Sequence, residues 1–529
     1  MVQLVLSERD FDYEIQALAA SFFPGQRCNV VVDKEIGREK SEEAVASAGQ
    51  VEDGNLLVAE LLFGQKRIVI SVSTGKYKRT CEASVSGVED WHKREGKPVH
   101  PYRTQYKNVL KKLLFQMLSD IPKEELPEGL VRRIPLWGTM TGVRPTKIPM
   151  KELLQGRDKE QVRQELADCY CCSDEKVELC MDIALREAEL LSRVDYQRGY
   201  SLYIGIPFCP TTCLYCSFPS YPFQQFGHLA EEYLAALLKE LAFVAETCQG
   251  RELTSVYVGG GTPTTLTPDQ LNRLFSFLET HFPINEKCEI TVEAGRPDSI
   301  TNEKLQVLLQ HRAGRISINP QTMQPVTLKR IGREHTVKQT VEAFRLAREL
   351  GFENINMDLI AGLPGETTEQ FEDTLRQIKE LSPDSLTVHS LVVKRASALR
   401  NVLESMGDFK AVEREREQVM EKMLAAAESF ARAEGYQPYY MYRQKNSAGH
   451  AGSSGQENIG YARQGRECIY NVLIMEEKQD IIACGAGSVS KRVVAGKQFG
   501  RCENIKNVAL YIERIDEMIE RKRKFFAGQ

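Results

Sequence analysis

Three cysteines stand close together near the middle of the chain. The segment Tyr203–Phe218 reads YIGIPFCPTTCLYCSF, and Cys209, Cys213 and Cys216 form a CxxxCxxC spacing within it. Three thiolates so placed can hold three irons of a 4Fe–4S cluster and leave the fourth iron open to a ligand. A structural zinc site is the competing chemistry, but it wants four closed ligands, usually in two pairs. Here Ser217 and Phe218 follow the third cysteine and no fourth ligand stands nearby. On spacing alone, cluster, zinc and a chance triplet all stay open.

The remaining cysteines, from a total of fourteen, read differently. Cys28, Cys81, Cys248, Cys288, Cys468, Cys484 and Cys502 are scattered singly and read as small buried hydrophobes. Cys169, Cys171, Cys172 and Cys180 fall in a stretch with helical patterning. Adjacent Cys171 and Cys172 then face different sides of a helix, which favours packing over a second metal site.

The elements that must position the triplet follow a repeating texture from Ser201 onward. Short apolar or β-branched runs (202–206, 255–258, 289–292, 315–318, 354–360 and 385–393) alternate with amphipathic patterns at 229–245, 269–279, 302–309, 338–350 and 368–378. Strands separated by crossover helices predict a parallel α/β sheet. Six such units fall short of a closed eight-fold barrel, so the expectation is an α/β fold built on a partial (β/α)6 TIM-like barrel over residues 196–405. Its site would lie at the C-terminal strand ends, where the cysteine loop begins.

Residues 1–195 read as an N-terminal α+β domain of unassigned role. It has strands at 28–32, 56–62 and 68–72, a hairpin connection at Phe63–Lys66, and a mobile polar loop at Asp33–Asn55. Helical patterning covers 102–118 and 160–191, and the Gly/Thr/Pro-rich segment Leu136–Ile148 reads as a connection. Residues 406–529 read as a C-terminal α/β extension covering the substrate. They hold a long helix at 412–434, a loop at 445–465, strands at 469–475 and 480–484, and a solvated basic helix end at Arg521–Lys524.

The 529 residues give a length prior of about three to four domains, and their net charge of −4 carries no broad basic footprint for nucleic acid. No apolar run reaches the ~18 residues of a membrane span, and MVQLVLSERDFDYEI lacks the pattern of a secretory signal. A cytoplasmic location, with reduced thiols, is the expectation.

Downstream of the triplet, polar residues recur at strand ends: Gly259–Pro263 (GGGTP), Thr291–Pro297 (TVEAGRP), Arg315–Thr322 (RISINPQT), Ile331–His335 (IGREH) and Asn356–Thr367 (NMDLIAGLPGET). A glycine run alone is as consistent with a tight turn as with a ligand site. Taken together, these motifs make the chain resemble the radical S-adenosylmethionine superfamily. Within it, the chain resembles the oxygen-independent coproporphyrinogen-III oxidase (coproporphyrinogen dehydrogenase) family, most closely over residues 203–399 and more loosely to 491.

That resemblance implies one 4Fe–4S cluster on Cys209, Cys213 and Cys216, with S-adenosyl-L-methionine on its open iron. It implies cofactor contacts from Tyr203, Tyr215, Gly260, Gly261, Thr262, Glu293, Gln321, Arg333 and Asp358; it assigns no catalytic residue. The implied reaction removes a hydrogen atom from a propionate of coproporphyrinogen III, and loss of CO₂ and of one electron to an acceptor leaves a vinyl group. A flavodoxin- or ferredoxin-type protein would supply the electron.

Two positions depart from the dehydrogenase pattern. Phe218 stands where a further cysteine is usual, and Gly205 where a histidine is usual. The Cys-x-Phe ending at Phe218 resembles the family's haem-chaperone and related branches, so haem binding or processing on the same scaffold is the alternative. Tyr439, Tyr440, Tyr442, Arg443 and His450 have the chemistry to cover a planar tetracarboxylate. An RNA-modifying enzyme using Lys107–Lys112 and Lys147 is a remote third reading, set against the acidic balance and the simpler reading of those lysines as a solvated helix face.

Overall fold

The computed structural model describes residues 1–33, 57–63, 67–85, 101–393, 398–405, 409–444, 457–494 and 498–527. Its contacts divide the chain into two compact units, Met1–Met181 with Arg443–Gln456, and Asp182–Tyr442 with Glu457–Gln529. Asp33 is described, whereas the rest of the expected loop to Asn55, the hairpin residues Gly64–Lys66 and His450 lie outside the described residues.

The first unit holds a five-stranded sheet of β1 (Val2–Leu6), β2 (Cys28–Val32), β3 (Leu57–Leu62), β4 (Arg67–Ser73) and β5 (Lys78–Ser84). Their order is β2-β1-β3-β4-β5, parallel across the first three and antiparallel beyond. Helices Asp12–Phe22 and Pro101–Ser119 carry Leu18, Phe22, Leu110 and Leu114 into its core. The expected helix over 160–191 is two helices, Lys159–Asp168 and Asp174–Ser192. Cys169, Cys171 and Cys172 therefore sit in the break between them rather than on a helix face. Cys171 takes a left-handed conformation there (φ 55°), and the Cys172 thiol donates to the Trp137 carbonyl at 3.5 Å. Lys111, expected on a solvated face, is buried and donates to Thr141 Oγ1 at 3.0 Å.

The second unit is organised by an eleven-stranded sheet. Six parallel strands follow one another with right-sized crossover helices between them: β6 (Tyr200–Ile206), β9 (Leu253–Gly260), β10 (Glu289–Gly295), β11 (Arg315–Ile318), β12 (Ile355–Ala361) and β13 (Ser385–Ser390). A short parallel pair, β7 (Phe208–Cys209) and β8 (Tyr221–Pro222), closes the cysteine loop. The strands read as near-continuous apolar runs because helices cover such sheets. Three crossover helices, Pro268–His281, Val337–Leu350 and Thr368–Leu381, open with the same capping box. In each, a threonine (Thr267, Thr336, Thr367) and a glutamine three residues on (Gln270, Gln339, Gln370) satisfy each other's backbone N–H groups. The mixed α/β class and the partial barrel expected from the sequence are what the chain adopts.

Residues after 405 extend this sheet at both edges. β14 (Gln437–Arg443) and β15 (Glu457–Ala462) lie beyond β13, with β15 antiparallel to it. β16 (Asp480–Cys484) adds a seventh parallel strand beside β6, followed by antiparallel β17 (Val489–Val494) and β18 (Gln498–Glu503).

Three expectations fail here. Ile469–Glu476 is a helix, not a strand, because the Glu289 carboxylate accepts the N–H groups of Ile469 (2.8 Å) and Tyr470 (3.3 Å), a cap supplied from a distant strand. Tyr439 and Tyr440 are buried edge-to-face on β14, ring centroids 4.9 Å apart, so these two do not form a cover for a ligand. Arg443 is likewise turned inward, donating to the Met140 carbonyl at 2.7 Å.

The third concerns one residue of the basic helix end: Arg521, Arg523 and Lys524 are exposed as expected, and Lys522 is not. Lys522, on helix Ile515–Ala527, is wholly buried and pairs with the equally buried Glu240 at 2.6 Å. Glu240 also accepts from Gly485 N (2.8 Å), Asn504 Nδ2 (2.8 Å) and the Tyr511 hydroxyl (2.6 Å). Removing one partner of a buried ion pair leaves an uncompensated charge, at a cost of about 3–5 kcal/mol. Lys522→Met is expected to lose stability of that order in urea unfolding at pH 7. An unchanged unfolding midpoint would show that the pair contributes nothing.

Candidate functional site

Along the parallel strands a single half-exposed residue recurs inside each of five otherwise buried runs: Tyr203 on β6, Tyr257 on β9, Glu293 on β10, Asp358 on β12 and His389 on β13. A buried sheet face offers no reason for so many polar groups at these levels unless they line a hollow. Two of the five, Tyr257 and His389, were missed as site residues in the sequence reading, as was Tyr470, which stacks on Tyr257. The signal available was a polar residue at one inward position of an apolar strand.

The cysteine loop leaves β6 and is fastened on several sides. Leu214 N donates to the Ile331 carbonyl at 3.1 Å, and Leu214 and Tyr215 pack on a cluster of Ile331, Ile360, Leu363, Leu391, Val393 and Leu399. Arg296, buried after β10, donates to the Thr211 carbonyl at 3.2 Å and to the Thr211 hydroxyl, while Asp298 holds its Nε at 3.0 Å. Arg333, from the loop after β11, donates to the Tyr215 hydroxyl (3.0 Å) and the Asn319 carbonyl (2.8 Å). Cys209, Cys213 and Cys216 are all half-buried. Burial pushes the Cys209 thiol up, and the Cys216 thiol up to about 11.

Thr262, in the glycine segment, faces Cys209 with its hydroxyl 3.6 Å from the sulfur. Gly261 N and Thr262 N donate to the carbonyls of Ile206 and Phe208, both at 2.7 Å. A Cβ on Gly261 would lie 2.5 Å from the Phe208 oxygen, so this close approach requires glycine.

The acids form two linked groups. Glu293 Oε1 accepts from the Tyr257 hydroxyl at 2.6 Å, and burial, reinforced by the Asp358 charge, pushes its carboxyl up to about 7. Tyr257 stacks with Tyr470 (4.4 Å) and with Tyr203 (6.1 Å). Asp358 Oδ1 accepts from Asn356 Nδ2 at 2.7 Å, and its Oδ2 lies 3.8 Å from His389 Nε2. Burial alone would raise that carboxyl; the facing His389 imidazole and the hydrogen bond from Asn356 outweigh it and hold it below the usual range. Gln321, left-handed at φ 67°, is bonded by its backbone to Asp358 and Ile360, and its side-chain Oε1 is buried with no partner among the described residues.

Thus the residues expected at the site are distributed as one ring of strand ends: Tyr203 at β6, the three cysteines and Tyr215 in the loop after it, Gly260–Thr262 after β9, Glu293 on β10, Gln321 and Arg333 after β11, and Asp358 on β12. Among the described residues no three His, Cys, Asp or Glu side chains converge on a single metal ion. A cubane's thiolates bind three different irons and so stand farther apart than the ligands of one ion. The loop's soft donors, its partial exposure and the orphaned Gln321 oxygen fit a cluster with an organic ligand beside it.

This arrangement is that of a radical SAM protein, and the Radical SAM superfamily profile matches residues 203–378. The chain is 38% identical over 451 residues to the oxygen-independent coproporphyrinogen-III oxidase-like protein HemZ of Bacillus subtilis (strain 168), covering 84% of this chain and 86% of that protein. It therefore belongs to the coproporphyrinogen-III oxidase-like family of radical SAM proteins. The heme chaperone HemW of the same organism is 37% identical over 206 residues, 39% of this chain and 53% of that protein, so the chain spans about half of it. Among solved structures, coproporphyrinogen III oxidase (HemN) from Escherichia coli aligns at 26% identity with a TM-score of 0.48, over 63% of this chain and 73% of that one. No helix among the described residues is long and apolar enough to cross a membrane.

Arg296 is a loop brace that the sequence reading passed over, although it lies within the TVEAGRP motif. Arg296→Ala should free the Cys209–Cys216 loop and speed alkylation of its thiols by about tenfold, read by mass spectrometry of timed iodoacetamide quenches. Equal rates in both proteins would show that the brace is idle. Cys28, buried in the other unit, serves as the internal control.

Proposed function

We propose that this chain is a radical SAM oxidoreductase that carries out oxygen-independent oxidative decarboxylation of coproporphyrinogen III propionates in porphyrin and haem formation. The observation that carries the reading is the convergence of the cysteine loop with the half-exposed stripe of Tyr203, Glu293 and Asp358 on one set of strand ends. The name and 86% coverage of the HemZ relative support the choice of substrate.

Cys209, Cys213 and Cys216 would hold one 4Fe–4S cluster. Gly260, Gly261 and Thr262 would meet the methionine part of S-adenosyl-L-methionine, with Glu293 accepting from its ammonium, Arg333 offering donors to its carboxylate, and Gln321 and Asp358 serving the nucleoside. When bound, these groups supply a carbon radical able to take hydrogen from an unactivated C–H bond. The chain's own part is to orient the ligand and exclude water. Tyr203 and Tyr215 wall the site with rings whose phenols are held well above their ordinary range by burial, so both stay neutral. The electron would come from a flavodoxin- or ferredoxin-type partner, and the cytoplasm is the location we assign.

A second reading, a haem chaperone on the same scaffold, is favoured by one observation. Phe218, two residues beyond Cys216, is 68% exposed, an apolar surface where the dehydrogenases usually carry a cysteine. Anaerobic incubation of the reconstituted protein with reductant, S-adenosyl-L-methionine, coproporphyrinogen III and an electron acceptor separates the two. Decarboxylated porphyrin appearing in step with 5′-deoxyadenosine is the expected outcome. Cofactor cleavage with intact porphyrin would reject the substrate and direct the next assay to haem binding.

The raised Glu293 carboxyl gives a pH signature. Below about 7 the empty site holds Glu293 protonated, and taking up the ligand's ammonium must then release that proton. Affinity for S-adenosyl-L-methionine should therefore fall by about tenfold per pH unit below that value. Equilibrium dialysis between pH 5.5 and 7.5 measures it. The slope should vanish in Glu293→Gln; the same slope in that variant would remove Glu293 from this role.

A further inference from the structure

The imidazole of His389 has its two nitrogens facing groups of opposite demand on its protonation. On one side, Nδ1 lies 3.3 Å from Asn458 Oδ1. The amide of Asn458 is oriented by backbone: its Oδ1 accepts from Ser390 N at 3.2 Å and its Nδ2 donates to the Tyr442 carbonyl at 3.3 Å. An acceptor oxygen therefore faces Nδ1, and that nitrogen must carry a proton. On the other side, Nε2 lies 3.8 Å from Asp358 Oδ2. A neutral ring with its proton on Nδ1 would turn the Nε2 lone pair toward a carboxylate. Only the doubly protonated ring satisfies both faces.

We infer that His389 is a positioning residue held as an imidazolium, whose charge fixes the Asp358 carboxylate that meets the nucleoside end of the cofactor. The nucleoside part of this inference rests on the cofactor reading above; the protonation state does not.

The surroundings agree. Asp358 is tied into a longer run of bonds: Asn356 Nδ2 donates to it, the Ser385 (3.1 Å) and Thr387 (3.3 Å) hydroxyls donate to Asn356 Oδ1, and Arg315 Nη2 donates to Ser385 at 3.1 Å. Asp358 Oδ1 is thus committed to Asn356, and Oδ2 is the oxygen left toward His389 and the hollow. The charged and titratable groups about the pair are Asp358 on β12, Glu293 on β10, Arg315 on β11, and the phenols of Tyr440 and Tyr442 on β14; β15 presents the neutral Asn458. Burial by itself would lower the imidazole's affinity for its proton, but the nearby Asp358 carboxylate reverses this and raises it. A group raised in this way keeps its charge at neutral pH and loses it as pH climbs through its own value. Loss of the Nε2 proton then releases Asp358, so nucleoside binding weakens on the alkaline side.

Two measurements test this. In the full chain labelled at histidine, the imidazole nitrogen shifts of His389, identified by their loss in His389→Gln, should show both nitrogens protonated at pH 6.5. Their midpoint should lie above 6.5 and fall in Asp358→Asn. A midpoint at or below 6.5, or one unmoved by Asp358→Asn, overturns the inference. Binding of 5′-methylthioadenosine, which carries the nucleoside without the methionine charges, is then followed by calorimetry from pH 6 to 9. Affinity should decline as the imidazole titrates, and His389→Gln should weaken it about tenfold at pH 7 and remove the decline. If wild type binds this probe with no alkaline decline, the positioning role falls. If neither S-adenosyl-L-methionine nor the probe binds wild type, the cofactor reading and the nucleoside role fall together, and the nitrogen shifts still decide the ion pair.

Discussion

A parallel strand packed on both faces has no solvent to share with an unpaired polar side chain, and this constraint orders the whole second unit. A charge buried in this unit is costly unless it is paired. Arg315 meets Ser385, Arg333 meets Tyr215 and Asn319, and Glu240 meets Lys522 and three further donors. The half-exposed stripe from Tyr203 to His389 is what remains after those pairings are made, and it defines the site by exclusion.

The same constraint explains why the cysteine loop is braced by arginines. Only Phe208 and Cys209 at the start of the loop join a strand ladder, so carbonyls further along it need donors from elsewhere. Arg296 reaches the Thr211 carbonyl and Arg333 the Tyr215 hydroxyl, from two different strand ends. Guanidinium forks suit this task, because each can serve the loop and a second anchor together. The loop is thereby indexed to β10 and β11, the strands that carry or precede Glu293, Gln321 and Arg333.

The barrel was legible because its signals are local. Runs such as 202–206 are apolar or aromatic over nearly their whole length, and the Thr-x-x-Gln boxes mark helix starts within four residues. The cysteine spacing and the polar residues at strand ends are equally local. What escaped was set by distant partners. Ile469–Glu476 reads as a strand until Glu289, about 180 residues earlier, caps its first turn. Lys522 reads as a solvated lysine until Glu240 meets it in the interior. Cys169–Cys172 read as helix because nothing in their own sequence marks the left-handed turn at Cys171. His389 and Tyr257 looked like strand residues, since the hollow they face exists only once six strands are assembled.

This division between local and distant determinants also separates the two halves of the functional question. Groups that would meet the cofactor lie within a few residues of a strand's C-terminal end, so the order of strands places them and motif spacing reveals them. Groups beyond the hollow come from β14 and β15 and from the helix capped by Glu289, all added after the barrel is complete. Tyr470 shows the consequence: it arrives on that helix and stacks at 4.4 Å on Tyr257, which in turn donates to Glu293. A residue of the C-terminal region thus sets the environment of a barrel acid through one intermediate ring. The position of the helix Ile469–Glu476 and the hydrogen bond at Glu293 are therefore linked through Tyr257.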